Sequence, residues 1–148
     1  MRNNIYLAGG GNITQSKLID TRFFEQIPNN SKILYIPVAM DENHISYDSC
    51  YDWFTKLLSK RLGGKEVDFV IWRETDVFPS IHNFHAVYIG GGNTYDLRYI
   101  MKKTGIDKIL IDFIAKGGLI YGGSAGAILL GESLLPVENE NYSNYKVN

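Results

Sequence analysis

The stretch LIYGGSAGAILL, residues 119–130, places a serine between a short apolar run and a run of small and apolar residues. The apolar run predicts a buried strand and the segment after Ser124 predicts a helix, so Ser124 falls on the turn that joins them. The glycines around it suit a sharp bend, because a hydroxyl pushed out of such a turn needs small neighbours and a permissive backbone. The pattern predicts a nucleophile elbow, the strand-to-helix turn that presents a catalytic serine.

Four further apolar runs precede this one, at residues 5–8, 33–36, 67–71 and 86–89. Continuous apolar runs predict strands that are buried on both faces. Apolar residues recur at helical spacing within 47–58, 97–101 and 106–114. This alternation predicts an α/β fold, a three-layer open sandwich with a mainly parallel sheet and helices on both faces.

A second glycine-rich segment, GGGNT at residues 90–94, follows the fourth predicted strand. Because the carboxyl ends of parallel strands share one edge, its backbone amides are expected beside Ser124, where they could bind an anion. The alternative is that the glycines only let the strand turn tightly into its helix. The pairing with the elbow favours half of an oxyanion hole.

The earlier glycine run at 9–11 could suggest a dinucleotide site, but Thr14 stands where the third glycine of that fingerprint is needed. No acidic residue ends the second strand to bind a ribose. Cys50 is the only cysteine, so no cysteine framework for a metal exists. We predict neither a cofactor nor a metal site.

Composition predicts a single domain over residues 1–148 and limits the partners. With 15 Lys+Arg against 16 Asp+Glu, the chain has no electrostatic footprint for nucleic acid or for an anionic membrane. The opening residues are too few and too polar for a signal peptide core, and a lone cysteine suits a reducing compartment. A cytoplasmic location is expected.

A serine nucleophile needs a base, and all three histidines precede Ser124. His82 and His85 come before the fourth strand, which places them at the amino end of the sheet. His44 follows the second strand, at the same edge as the elbow, and is the candidate base. The alternative for His44 is a solvated loop or a helix-cap position.

The motifs at 89–95 and 122–127, with the segments at 7–11 and 36–39, resemble the peptidase E family of serine peptidases. That family includes aspartyl dipeptidases and relatives of cyanophycinase. The resemblance implies a fold like that of class I glutamine amidotransferases, with serine in place of their cysteine. It also implies site residues: Ser124 as nucleophile, Gly92 and Ala125 as oxyanion N–H donors, and Gly91, Asn93 and Gly123 as substrate contacts.

In that family a histidine and then an acidic residue follow the serine. No histidine follows Ser124 here, and Glu132, Glu138 and Glu140 match no such motif. The chain is therefore expected to be the N-terminal portion of the family's fold. Residues 138–148 read as a loop.

The expected function is a serine-type peptidase that cleaves short peptides by acyl transfer at Ser124. One alternative is an inactive remnant, or a module that binds a small molecule or a peptide and lacks the triad histidine and acid. Another is that a second copy of the chain contributes the base from His44. A sheet ending at the fifth strand would leave an open edge and an uncovered apolar face near 128–135, which predicts a homodimer.

Overall fold

The computed structural model describes residues 4–131. Its strands are β1 (Ile5–Ala8), β2 (Ser31–Ile36), β3 (Val67–Ile71), β4 (Ala86–Ile89) and β5 (Leu119–Gly123). Its helices are α1 (Lys17–Glu25), α2 (Tyr47–Ser59), α3 (Thr94–Thr104), α4 (Ile106–Ala115) and α5 (Ala125–Leu129), with a 3-10 turn at Ile81–Asn83. The five predicted strands are confirmed, whereas α1 was not predicted.

The five strands form one sheet in the order β1-β5-β4-β2-β3, and all four neighbouring pairs are parallel. The carboxyl ends of all five strands therefore emerge at one edge, as the sequence predicts. β4 and β5 are neighbours in the register that sets Tyr88 beside Tyr121. Their exits, which carry the 90–92 glycines and Ser124, are consequently adjacent.

Two apolar clusters cover the two faces of the sheet. On one face Tyr35 and Tyr121 pack with Phe23 of α1 and Phe54 of α2. On the other face the residues that alternate with them in the strands pack on α3 and α4: Leu34, Ile36, Val87, Ile89 and Ile120. Helices lie on both sides of the sheet, and the predicted three-layer sandwich is confirmed.

The position of β5 corrects one expectation. β5 is not an open edge, because it pairs with β1 on one side and with β4 on the other.

The edges are β1 and β3, in which successive residues alternate in exposure. Ile5 and Leu7 are 42% and 46% exposed, so burial on both faces was a wrong prediction for the edge strands. In β1 and β3 only every second side chain is shielded from solvent, which is the pattern of a strand with one covered face.

Two further expectations concern residues near the end of the chain. The loop expected at 138–148, and the part of the apolar face beyond residue 131, lie outside the described residues. Within 4–131, no helix is both long enough and apolar enough to cross a membrane.

Candidate active site

Ser124 occupies a strained turn between β5 and α5. Its backbone has φ 49° and ψ −109°, a positive φ that residues with a side chain rarely adopt. Its N–H donates to the carbonyl oxygen of Ala8 at 2.7 Å, which ties the turn to the end of β1. Strain of this kind costs about 1–3 kcal/mol and is concentrated at functional sites. The strand-to-helix turn expected from the sequence is present, and Ser124 is exposed on it.

Glycines let α5 approach the sheet. A Cβ on Gly122 would lie 2.6 Å from the backbone carbon and oxygen of Gly126. A Cβ on Gly126 would lie 2.6 Å from the carbonyl oxygen of Ile89 in β4. Both distances are shorter than real Cβ contacts, so side chains at these two positions would force the elbow apart. The glycine spacing around Ser124 thus has a packing cause.

The β4 exit lies directly against Ser124. A Cβ on Gly91 would lie 3.2 Å from Cβ and 3.7 Å from Oγ of Ser124. Gly92 has φ 139°, and a Cβ there would lie 2.2 Å from the carbonyl oxygen of Ala39. The structure therefore brings together the two glycine motifs that the sequence singled out.

Backbone amides near Ser124 can hold an oxyanion. The N–H groups of the loop's flanking residues, Gly90 and Asn93, donate to backbone carbonyls. Among residues 4–131, no backbone carbonyl accepts from the N–H of Gly91 or Gly92. Ala125 is the first residue of α5, a position whose N–H has no partner within the helix. The structure thus supplies candidate donors on both sides of Ser124.

The remaining predicted contacts differ in where they lie. Gly91 and Gly123 line the cavity over Ser124, whereas Gly92 packs against Ala39. The side chain of Asn93 caps α3, with Oδ1 accepting from the N–H groups of Tyr95 and Asp96 at 2.9 and 3.1 Å. The carboxamide oxygen of Asn93 therefore holds the helix start.

A cavity of about 540 Å³ opens beside Ser124, within the size range of small-ligand pockets. Apolar side chains from the β2–α2 loop and from α2 form one wall: Met40, Ile45, Trp53 and Leu57. Its floor is aromatic and polar, formed by Tyr35, Tyr88, Tyr121 and Asp20. The cavity is large enough to hold a small molecule or an amino-acid side chain beside Ser124.

A buried carboxylate lies in this floor. Asp20 is 3% exposed, and its two oxygens accept from the hydroxyl of Tyr121 at 2.6 Å and from that of Ser16 at 2.8 Å. Tyr121 also stacks on Tyr88, with ring centroids 4.4 Å apart. Burial raises the pKa of both tyrosines above the usual range, so both hydroxyls keep their protons at neutral pH.

Asp20 was not predicted as a site residue, because α1, the helix that carries it, was not predicted. The signal was present, since Ile19, Phe23 and Ile27 recur at intervals of four and follow the glycine-rich exit of β1. Phe23 and Ile27 are fully buried under the sheet. A helix assigned on that spacing would have placed a charged residue near the carboxyl edge.

The structure does not bring a histidine into the cavity. His44 is 82% exposed, its Nδ1 lies 2.8 Å from Oδ2 of Asp41, and it does not line the cavity. The pKa of Asp41 is lowered, mainly by the hydrogen bond from the backbone N–H of Asn43 and secondly by the hydrogen bond with the side chain of His44. His82 and His85 lie before β4 at the amino end of the sheet, as predicted. Among the described residues, no group of three or more His, Cys, Asp or Glu side chains could hold a metal ion.

The model of peptidase family S51 matches residues 5–146 of this sequence. The chain belongs to peptidase family S51. Over 127 residues this S51 chain is 26% identical to the uncharacterized peptidase Lmo0363 of Listeria monocytogenes, covering 84% of the chain and 60% of that relative. Over 54 residues it is 37% identical to the uncharacterized peptidase YgaJ of Bacillus subtilis, covering 36% and 24% of the two chains. The resemblance to peptidase E proteins is confirmed.

Solved structures show the same fold. The S51 chain superposes on a peptidase E protein from Listeria monocytogenes EGD-e with a TM-score of 0.63 and 23% identity, over 85% of this chain and 60% of that one. A peptidase from an acI-B1 Actinobacterium gives a TM-score of 0.61 and 24% identity, over 85% and 55%. The chain thus spans about 60% of the length of the first relatives that it matches.

Proposed function

We propose that this chain carries the nucleophile of a serine-type peptidase that cleaves short peptides by acyl transfer at Ser124. The observation that supports the proposal is that Ser124 is exposed on a strained turn, directly against the β4 loop. A Cβ built on Gly91 of that loop would lie only 3.2 Å from Cβ of Ser124. A serine held this way presents its hydroxyl to a substrate beside amides that can bind an oxyanion. Membership of a peptidase family supports the same reaction class.

In the proposed reaction, Oγ of Ser124 attacks the scissile carbonyl carbon and its proton passes to a base. The N–H of Ala125, with that of Gly91 or Gly92, stabilises the negative oxygen of the tetrahedral intermediate. The amine leaves with a proton from the same base, and water then releases the acyl group from the serine. We place this reaction in the cytoplasm, since the only cysteine, Cys50, is buried and free.

The base is proposed to come from outside the described residues of the same copy of the chain. No histidine of residues 4–131 lines the cavity, and His44 is held by Asp41 on an exposed loop. Within this sequence, His44 of a second copy is the candidate donor, and a homodimer is the arrangement that would deliver it. Otherwise the base is supplied from outside residues 4–131.

A second candidate function is a binding module that keeps the cavity without the chemistry. The observation that favours it is that no histidine of residues 4–131 lines the cavity. A serine hydrolase that loses a triad member keeps only the residual catalysis of its oxyanion hole and of substrate binding. The two functions differ in one property, which is the reactivity of the Ser124 hydroxyl.

Labelling with a fluorophosphonate probe, read by mass spectrometry, tests that property. We expect modification at Ser124 and none in Ser124→Ala. Ser49→Ala is the matched control, because Ser49 lines the same cavity but lies on α2 rather than on a strained turn. His44→Ala checks the base, and a loss of labelling there would assign His44 to that role. Folded protein that stays unlabelled would reject the nucleophile and favour the binding module.

A further inference from the structure

The two edge strands of the sheet differ in how well they are protected from pairing with another strand. Among residues 4–131, β1 pairs only with β5 and β3 pairs only with β2, so each has one open side. An open side presents a row of backbone N–H and C=O groups that can pair with a further strand. Proteins protect such edges with charged side chains or by covering them with a helix or a loop.

β3 is a protected edge. The N–H of Trp72 donates to the carbonyl oxygen of Tyr35 in β2, and backbone groups alternate in direction, so those of Phe69 face the open side. There the carbonyl oxygen of Phe69 accepts a hydrogen bond from the hydroxyl of Tyr51 in α2 at 2.7 Å. The next residue, Asp68, is exposed and charged. A strand added here would displace the tyrosine hydroxyl and approach a carboxylate.

β1 has no such protection in its own sequence, because Ile5–Ala8 contains no charged residue. The carbonyl oxygen of Ala8 accepts from the N–H of Ser124, so the backbone groups of Ala8 face β5. Since these groups alternate in direction along a strand, the N–H and C=O groups of Ile5 and Leu7 point to the open side. Ile5 and Leu7 are therefore the residues that a further strand would meet.

The side chains along this edge are largely apolar. Ile5 and Leu7 are 42% and 46% exposed, and Leu18 on the neighbouring helix α1 is 67% exposed. All of them line a shallow cavity of about 430 Å³ along the strand, together with Ile19 and Arg22. Burial of such apolar surface against another protein is favourable.

We propose that β1 pairs antiparallel with β1 of a second copy of this chain, about a two-fold axis beside Tyr6. Ile5 of each copy then lies opposite Leu7 of the other. Both residues present their N–H and C=O groups to the open side, so they can exchange hydrogen bonds, and the axis repeats the pair. Tyr6 faces its own copy between the two pairs. The edge is thus complementary to itself, as a two-fold interface requires.

The charges on α1 also favour a second copy as the partner. The rings of Tyr6 and Phe23 are in contact, with centroids 5.7 Å apart, so the axis beside Tyr6 passes α1 near residue 23. Arg22 and Glu25 are exposed on α1. When two copies of α1 lie antiparallel about that axis, Arg22 of one copy faces Glu25 of the other, and the opposite charges are complementary.

This inference goes beyond the proposed function and does not rest on it. Antiparallel pairing points the carboxyl edges of the two sheets in opposite directions, so this dimer does not bring His44 of one copy to Ser124 of the other. Delivery of His44 would need a different interface, which the labelling of His44→Ala tests separately.

Sedimentation of the full chain over a range of concentrations tests the pairing. A strand of four residues and one side of α1 form a small interface, so we expect a monomer–dimer equilibrium with a micromolar dissociation constant. Leu7→Lys places a charge in the paired edge and should raise that constant by about tenfold or more. Val70→Lys is the matched control and should dimerise like the unchanged chain, because Val70 is 36% exposed on the protected edge β3.

Cysteine substitutions give a second reading that depends on the register. Tyr6 and its copy form a non-hydrogen-bonded antiparallel pair, whose Cα atoms lie about 4.5 Å apart and within disulfide range. Tyr6→Cys should therefore form an intermolecular disulfide under mild oxidation. Leu7→Cys should not, since Leu7 and its copy are diagonal neighbours about 7–8 Å apart. The unchanged chain is the control, because its Cys50 is buried.

Two sedimentation results would overturn the inference. An unchanged chain that stays monomeric would mean that the β1 edge remains open or is covered by another part of the same chain. A dimer that persists in Leu7→Lys, or one that Val70→Lys abolishes, would place the interface elsewhere. Circular dichroism checks that the variants fold. If Leu7→Lys does not fold, the cysteine pair decides, and any outcome other than a disulfide at Tyr6→Cys alone rejects the proposed register.

Discussion

Two segments of this protein have the same four letters, GGGN, at residues 9–12 and 90–93. Each follows a parallel strand at the same edge of the sheet. In each, the asparagine side chain accepts from the amides two and three residues further on: Asn12 from Thr14 and Gln15, and Asn93 from Tyr95 and Asp96. Both segments therefore form the same local structure, a turn in which the asparagine side-chain oxygen accepts hydrogen bonds from the following backbone amides.

Their surroundings differ. A Cβ on Gly9 or Gly10 would meet no atom within 4 Å, and one on Gly11 would lie 2.8 Å from Oε1 of the flexible Gln15 side chain. A Cβ on Gly91 or Gly92 would instead meet Ser124 or the backbone of Ala39. The difference follows from strand order, because β1 is an edge strand and β4 is central. The glycines of the first loop thus serve mainly to permit a positive φ. Those of the second loop let its backbone pack closely against Ser124 and Ala39.

The largest difference in unfolding free energy is expected between Gly92→Ala and Gly10→Ala. Both glycines have a positive φ, 139° and 112°, so alanine strains both by about 1–3 kcal/mol. Only at Gly92 does the new Cβ also overlap a backbone oxygen, so we expect a total loss of about 4 kcal/mol or more there. Urea unfolding of the two variants measures the difference. Equal losses would mean that the β4 exit is as open as the β1 exit.

An intermediate effect is expected on reactivity from Gly91→Ala. The added methyl group would press on Ser124 and crowd the amides beside it, so fluorophosphonate labelling should slow by about tenfold or more. Gly9→Ala is the control, since neither glycine needs a positive φ and Gly9 has open space around it. If both variants label at the parental rate, the β4 loop takes no part in the reactive site.

The smallest difference in unfolding free energy is expected between alanine substitutions of the two loop asparagines. Asn93→Ala removes the N-cap of α3 and should cost about 1 kcal/mol of unfolding free energy. Asn12→Ala removes hydrogen bonds in an exposed turn, where solvent replaces them, so a loss of roughly 0.5 kcal/mol or less is expected. Thermal unfolding at matched concentration distinguishes them. A larger loss at Asn12 would reverse the ranking of the two loops.

Much of the fold was predictable because local patterns carry it. The apolar runs located all five strands, with β1, β3 and β4 at their observed bounds. The period of the apolar residues also placed α2, α3 and α4. The edge strands were misjudged, since a short apolar run such as β1 reads the same whether one face or both are covered. Strand order, which decides the coverage, depends on contacts between distant segments.

The candidate site was predictable to a smaller extent. The turn at Ser124 and the neighbouring β4 loop follow from local glycine patterns and from the parallel sheet. Asp20 could not be connected to them by pattern alone, because its partner Tyr121 is 101 positions away in sequence. His44 was correctly placed after β2, and its contact with Asp41, three residues earlier, is local. Its exposure depends on how the loop lies relative to the rest of the fold.

The sequence by itself determined the alternation of strands and helices, the sharp turn at Ser124 and the resemblance to peptidase E proteins. These properties rest on interactions between residues near in sequence, such as glycine conformation and the periodic burial of apolar side chains. Tertiary structure alone decided that β5 is central, that one GGGN loop is crowded and the other open, and that a carboxylate lies beneath the cavity. Those features arise where segments far apart in sequence pack together, and their contacts are set by the sheet order.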